Sequence, residues 1–159
     1  MTQEELNIIL EKHNKWLRGE DGGERANLTG ANLTHANLTD ANLTRAKNIP
    51  FIPTCCPDSG SFVGWKKAHA KIVKLLIPED AERLSAAGRK CRCNKAVVIA
   101  IENLDGRESG LNEVPSDYDC DFIYKIGETV SVAYFDKYRF NECSTGIHFF
   151  INRQEAVNY

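Results

Sequence analysis

The segment Gly88-Arg89-Lys90-Cys91-Arg92-Cys93-Asn94-Lys95 places four cations and two thiols within eight residues. Read as a strand, its period of two sets Lys90, Arg92 and Asn94 on one face and Arg89, Cys91, Cys93 and Lys95 on the other. Arginine offers a planar fork of donors and lysine a point charge, and both suit phosphate or carboxylate oxygens. Arg89, Lys90, Arg92 and Lys95 are therefore candidate ligands for a nucleotide or a nucleic-acid backbone, with Arg139 and His148 as further basic groups for the same anion. The same charges also suit a solvated strand edge, which they protect from pairing with another chain.

Cys91, Cys93, Cys143 and His148 are donor types for zinc, but Cys-x-Cys and Cys-x4-His depart from the Cys-x-x-Cys spacing of structural zinc sites. Cysteines also pack as small hydrophobes, so neither a metal nor a cofactor is assigned. Cys143 or Ser144 with His148 and Glu142 would supply a nucleophile and a base. No nucleophile elbow, glycine-rich phosphate loop or carboxylate pair accompanies them, and the chain reads as non-enzymatic, with His148 bonded to nearby backbone. Trp65, Phe135, Tyr138 and Phe140 read as core or rim aromatics rather than a base-stacking platform.

These residues fall in a stretch patterned for antiparallel strands. Strands are predicted over 61–66, 71–77 and 90–102, near 122–125 and 129–134, and over 146–151. A short helix is predicted from Pro78 over 78–84, a polar connection over 104–119 and a last helix over 152–159. Pro50, Pro53 and the run Cys55-Cys56-Pro57-Asp58-Ser59-Gly60 punctuate the chain ahead of it. The division is into residues 1–50 and 51–159, and the class of the second part is α+β.

Residues 26–45 repeat one five-residue unit four times: Ala26-Asn27-Leu28-Thr29-Gly30, Ala31-Asn32-Leu33-Thr34-His35, Ala36-Asn37-Leu38-Thr39-Asp40 and Ala41-Asn42-Leu43-Thr44-Arg45. A small residue two places before each leucine fits a backbone that turns sharply every five residues. Ahead of the repeats, Thr2 and Glu5 form a capping-box pattern before Leu6, Ile9, Leu10, His13 and Leu17 at helical spacing, and Gly19 with Gly22-Gly23 ends that helix. His13 reads as a boundary residue of this cap.

The four units resemble the pentapeptide-repeat family. That resemblance implies a right-handed, four-sided parallel β-helix with Ala26, Leu28, Ala31, Leu33, Ala36, Leu38, Ala41 and Leu43 pointing inward. Four units close one coil, whose rise is about one strand spacing, roughly 4.8 Å. Long family members imitate duplex DNA, but one coil spans little more than a base step, so mimicry is not expected here. A stub needs caps, and the first helix supplies one. Gly60-Ser61-Phe62-Val63-Gly64-Trp65-Lys66-Lys67, Gly88 to Cys93, and Asn141 to Ile151 before Arg153, Glu155, Ala156 and Tyr159 resemble a domain of uncharacterised phage and prophage pentapeptide-repeat proteins. That likeness carries no activity and implies a phage-encoded accessory protein.

At 159 residues, 42% hydrophobic and 26% charged, the chain has globular composition and a net charge of −2. It has no apolar run of membrane-spanning length and no signal-peptide pattern, so a cytoplasmic location, no membrane partner and reduced cysteines are expected. Residues 66–95 carry nine Lys/Arg against three acids, while residues 102–121 carry seven acids against Arg107. The two segments either make a dipolar surface that steers partners or lie together and neutralise each other.

Three readings follow. The first is a non-enzymatic, phage-encoded protein that engages and inhibits a host protein, as in a counter to nuclease-based defence. The second is a nucleotide or small-anion binding protein using 89–95 with Arg139 and His148. The third is nucleic-acid binding through the basic segment. Exposed solenoid ends make a homodimer compatible with each.

Overall fold

The computed structural model describes residues 1–29, 31, 33, 43, 45–49, 51–85, 88–141 and 143–159. Helix α1 spans Gln3–Arg18. Thr2 Oγ1 accepts the Glu5 N–H at 3.2 Å and the Glu5 carboxylate accepts the Thr2 N–H at 2.8 Å, the reciprocal cap its sequence predicts. Gly19, with φ of 71°, ends it in the left-handed conformation that a side chain would disfavour. Leu6 of α1 packs with Leu28, Leu43 and Ile52, and Ile9, Leu10, Ala31, Leu33 and Phe140 surround them.

Ala26, Leu28 and Leu43 are buried, and Ala31 and Leu33 are half-buried. Ala36, Leu38 and Ala41 lie outside the described residues. Asn27 and Lys47 form a parallel bridge, in which the Leu28 N–H donates to Lys47 O and the Lys47 N–H to Ala26 O, both at 2.9 Å. His13 is fully buried beneath this segment, where its Nδ1 accepts the Ala26 N–H at 3.4 Å and its ring stacks on Trp16.

Beyond residue 60 the strands are β1 (Phe62–Ala68), β2 (Lys71–Ile77), β3 (Arg83–Ser85), β4 (Lys90–Cys93), β5 (Lys95–Glu102), β6 (Glu113–Pro115), β7 (Ile123–Lys125), β8 (Thr129–Ser131) and β9 (Ile147–Phe150), followed by helix α2 (Arg153–Asn158). Among the described residues, seven strands form an antiparallel sheet in the order β3-β4-β9-β1-β2-β5-β8, and β6 pairs with β7. The α+β class holds. No helix among the described residues is long and apolar enough to cross a membrane.

Strands β4 and β5 are joined through the single residue Asn94 yet stand four places apart in the sheet order. In a flat sheet those strands would lie about 19 Å apart at roughly 4.8 Å per step. Two peptide units reach only about 7 Å, so the sheet must curl back on itself around its core. Asn94 stitches the curl: its N–H donates to Glu82 O at 3.0 Å and its carbonyl accepts the Val132 N–H at 2.9 Å. The strand predicted over 90–102 is therefore two strands with a corner between them.

The helix predicted over 78–84 is not formed. Pro78 starts one turn, closed by the Ala81 N–H on Pro78 O at 3.0 Å, and residues 83–85 then pair with β4. Arg83 decides the outcome by donating to Gly60 O at 2.7 Å, and its charge lies over the Phe62 ring. The polar connection over 104–119 also contains β6, whose alternation is too short to register as a period.

Inside the curl, Ala68, Val73, Leu75, Ile77, Cys91, Cys93, Ala96, Val98, Ile147 and Phe149 make one core. Gly64 lets β1 approach Phe149, since a Cβ there would sit 2.5 Å from the ring. β1 and β2 are joined by His69 and Ala70, both left-handed at φ of 48° and 56°, the backbone of a two-residue type I′ hairpin. Helix α2 docks through Arg153, which donates to Glu102 at 2.8 Å and to Asn103 O at 2.8 Å.

Candidate functional site

β1 and β9 meet at one residue pair, Trp65 with Phe150. Farther along, Lys66 of β1 and Ile147 and His148 of β9 line the same cleft of 390 Å³, a volume suited to a small molecule. One wall is the turn between β6 and β7, with Ser116, Tyr118, Asp119 and Phe122. The opposite wall is residues 143–146, and Lys90, Tyr124 and Tyr159 complete the lining.

The second wall hangs on Arg92. This residue is 2% exposed, and its guanidinium donates to Thr145 O at 2.9 Å and to Tyr138 O at 3.2 Å while lying over the Phe135 ring. A buried charge is tolerated when carbonyls satisfy its donors. The first wall holds itself: the Ser116 N–H donates to Phe122 O at 2.9 Å, and the Asp119 carboxylate accepts the Asp121 N–H at 3.0 Å.

Two lysines give the cleft its charge. Burial pushes the Lys66 ammonium below its ordinary pKa; Asp117 and Cys93 act against that fall and Lys90 adds to it. Lys66 Nζ lies 5.8 Å from the centre of the Tyr124 ring, whose own phenol is pushed up by burial. Lys90 Nζ sits over the Tyr159 ring at 5.3 Å and reaches its hydroxyl at 3.4 Å. Tyr118, 90% exposed, stands at the rim, and Phe122 meets Tyr124 edge-on at 5.3 Å. Cations, hydroxyls and ring faces thus surround a space whose lining includes one acid, Asp119.

Of the six basic residues singled out in the sequence, Lys90 and His148 line the cleft. Arg92 holds its wall from inside. Arg89 is paired with Glu155 of α2 at 2.7 Å, which holds its guanidinium above the ordinary range, and Lys95 is paired with Asp80 at 2.6 Å. Arg139 donates to Ser85 O at 3.1 Å and Ile52 O at 3.0 Å, with burial lowering its pKa. Cys143 lines the cleft beside His148, whereas Cys91 and Cys93 pair with Phe149 and Ile147 and share their core face. Among the described residues no group of three or more His, Cys, Asp or Glu is gathered as a metal would require, and Glu142 lies outside them.

Lys66 entered the candidate sites only as one cation of the basic segment 66–95, and Tyr118, Tyr124 and Tyr159 entered no candidate site. The signal for Lys66 was its place in a predicted strand; for the tyrosines there was none, because Tyr159 comes from the end of the chain to the cleft that the β6–β7 hairpin lines with Tyr118 and Tyr124. The basic and acidic segments do meet here, with Asp117 facing Lys66 and also accepting the His69 N–H at 2.8 Å.

The family model described as a family of unknown function (DUF5758) matches residues 52–156, and that of pentapeptide repeats (8 copies) matches residues 24–47. No curated protein and no solved structure matches the chain. The curled sheet and all of the cleft lining except Tyr159 fall within the first match, which ends inside α2; the chain belongs to the DUF5758 family, with a pentapeptide-repeat segment ahead of that domain.

Proposed function

We propose that this chain is a binding protein whose C-terminal domain holds a small anionic, ring-bearing ligand, of which a nucleotide is the type. The supporting observation is the convergence of Lys66, Lys90 and His148 in one cleft beside Tyr118, Tyr124 and Tyr159. The lysines would face phosphate oxygens, and the exposed rings of Tyr118 and Tyr159 would take the base, with the buried Tyr124 as the floor beneath Lys66. The half-buried position of Lys66 favours a dianion, which returns to it the charge stabilisation lost on burial.

The N-terminal part would serve as a capped platform. The Asn27–Lys47 parallel bridge closes after twenty residues, which is four five-residue units, and supports one coil of a right-handed parallel β-helix. The Ala31 N–H on Leu28 O and the Ala46 N–H on Leu43 O, both 3.0 Å, would be equivalent corners of that coil.

Inhibition of a host protein by a phage-encoded product rests on resemblance; the most exposed large apolar and aromatic side chains among the described residues, Ile8, Phe51, Tyr118, Tyr134 and Tyr159, belong to five segments, of which those of Tyr118 and Tyr159 meet at the cleft. Nucleic-acid binding along residues 66–95 draws less support, because Arg89, Lys95 and Arg83 are engaged by Glu155, Asp80 and carbonyl oxygens.

Calorimetric titration with pyrophosphate, adenosine and a set of nucleoside mono-, di- and triphosphates tests the reading. A phosphate-bearing nucleoside should bind more tightly than either fragment, and Lys66→Met and Lys90→Met should each weaken it about tenfold, or about 1.4 kcal/mol. Affinity indifferent to both lysines, or no binding by any member of the set, refutes it.

A further inference from the structure

Three thiols meet on the core side of β4, away from the cleft. The loop before β1 lays Cys55 and Cys56 against Cys91, and the Cys55 and Cys91 sulfurs approach to 3.4 Å. The Cys91 thiol also lowers the pKa of Cys56, beside Cys55 in the same loop. The Cys55 thiol donates toward the carbonyl oxygens of Gly88 and Arg89, at 3.5 and 3.4 Å, contacts that fix the protonated sulfur and that it must give up on ionising. The Ser85 hydroxyl accepts the Cys55 N–H at 3.0 Å and lies beside the thiol. Cys55 is half-buried and reachable, whereas Cys91 is fully buried.

We propose that Cys55 and Cys91 are a hydroperoxide-reactive thiol pair, with Cys55 the attacking sulfur and Cys91 the resolving one. The geometry assigns the order, because an external oxidant reaches Cys55 first and Cys91 needs to reach only Cys55. The Cys55 thiolate attacks the outer oxygen of a hydroperoxide: an S–O bond forms, the O–O bond breaks and the departing alkoxide takes a proton. Cys91 then attacks the sulfenic sulfur; an S–S bond forms, the S–O bond breaks and the hydroxyl leaves as water with the Cys91 proton. Two thiols lose two electrons, and the hydroperoxide becomes an alcohol and water. The sulfurs must close by about 1.4 Å to reach disulfide length, a movement within reach of the loop carrying Cys55.

The electrostatics favour the first step. The hydrogen bond from Cys91, then the Ser85 hydroxyl and the Arg89 guanidinium, lower the Cys55 thiol to about 6 against the opposing effect of burial. The same arrangement raises Cys91, which keeps it protonated until Cys55 is oxidised. A thiol lowered below the ordinary value of about 8.5 is ionised at a pH where a free cysteine is not, and its lower basicity takes back only part of that gain in reactivity.

The test uses the full chain, reduced and freed of reductant. Iodoacetamide labelling followed by peptide mass spectrometry should show Cys55 reacting about tenfold faster than a model cysteine peptide at pH 6. Stoichiometric hydrogen peroxide should then yield a Cys55–Cys91 cross-linked peptide. In Cys91→Ser, dimedone should trap a sulfenic acid at Cys55, and Cys56→Ser should leave the cross-link intact. Oxidation confined to the exposed Cys120 and Cys143, or labelling of Cys55 at the rate of the model peptide, overturns the proposal.

Discussion

Replacing Arg92 with methionine should loosen one wall of the cleft and weaken the fold by about 3 kcal/mol. The guanidinium donates to Thr145 O and Tyr138 O from a position 2% exposed. Hydrogen bonds from a charged donor contribute about 1.5–3 kcal/mol each, and the two carbonyls would be left without that donor. Methionine keeps part of the packing against Phe135 and spares the desolvation of a charge, which brings the net loss to the lower end of the summed range. At about 2–4 °C per kcal/mol for a chain of this size, the melting temperature should fall by about 6–12 °C. Lysine retains the charge but presents no fork, and should cost about half as much. Hydrogen exchange gives the sharper readout. Amides of residues 138–146 should exchange at least about tenfold faster in Arg92→Met, while those of β2 and β5 change only as global stability does. A variant within about 0.5 kcal/mol of the parent and unchanged exchange over 138–146 would refute the assignment of Arg92 as the strut of this wall.

Three further changes probe the sheet. Ala70→Gly should raise stability by about 0.5–1 kcal/mol in urea melts, because Ala70 at φ of 56° bears a steric penalty that glycine lacks; an unchanged or lower midpoint contradicts this. Gly64→Ala should destabilise by about 1–3 kcal/mol through the 2.5 Å approach to Phe149, and combining it with Phe149→Leu should recover part of the loss, with additivity of the two effects as the contrary result. For Lys66, burial depresses the folded-state pKa, so the unfolded chain binds more protons between that value and the ordinary 10.5. Burial of the cation therefore lowers stability at neutral pH, and the penalty fades as pH rises toward 10.5. Lys66→Met should accordingly have the higher urea midpoint at pH 7 and lose that advantage at alkaline pH; a lower midpoint at pH 7 would count against it.

The elements marked by local chemistry were legible in the sequence. Thr2 and Glu5 specify the start of α1 and Gly19 its end, because a cap is settled by neighbours three or four residues apart. The β1 and β2 runs were legible too: in β2, β-branched Ile72, Val73 and Ile77 join Leu75 in an apolar run, and all four are buried. Their hairpin was not, because His69-Ala70 lacks the Asn-Gly signal and its backbone is set by the pairing of Ala68 with Lys71. The helix expected at 78–84 failed for a tertiary reason, the pull of Arg83 toward the Gly60 carbonyl twenty-three residues back. At the site, charge singled out Lys90 and His148, and both line the cleft. It misled for Arg92, which the sequence presents as a surface cation, because burial depends on Thr145 and Tyr138 arriving from a different part of the chain.

The four residues of β4 show why cleft and thiols must be understood together. Lys90 lines the cleft and Arg92 braces its wall, while Cys91 touches Cys55 and Cys93 fills the core. The alternation that separates these roles is the pleat itself, so displacement of Cys91 toward Cys55 would be transmitted to Lys90 and Arg92 through the same backbone. β4 has limited freedom to absorb it, being held by β3 on one edge and β9 on the other, with Arg92 opposite His148. The Arg89–Glu155 pair adds a third tether by tying the entry of β4 to α2, close to Tyr159. A disulfide formed as proposed between Cys55 and Cys91 should therefore shift Lys90, and with it the Tyr159 ring it covers, and a charged strand that reads in sequence as a surface edge is, in the fold, the wall between the cleft and the thiol cluster.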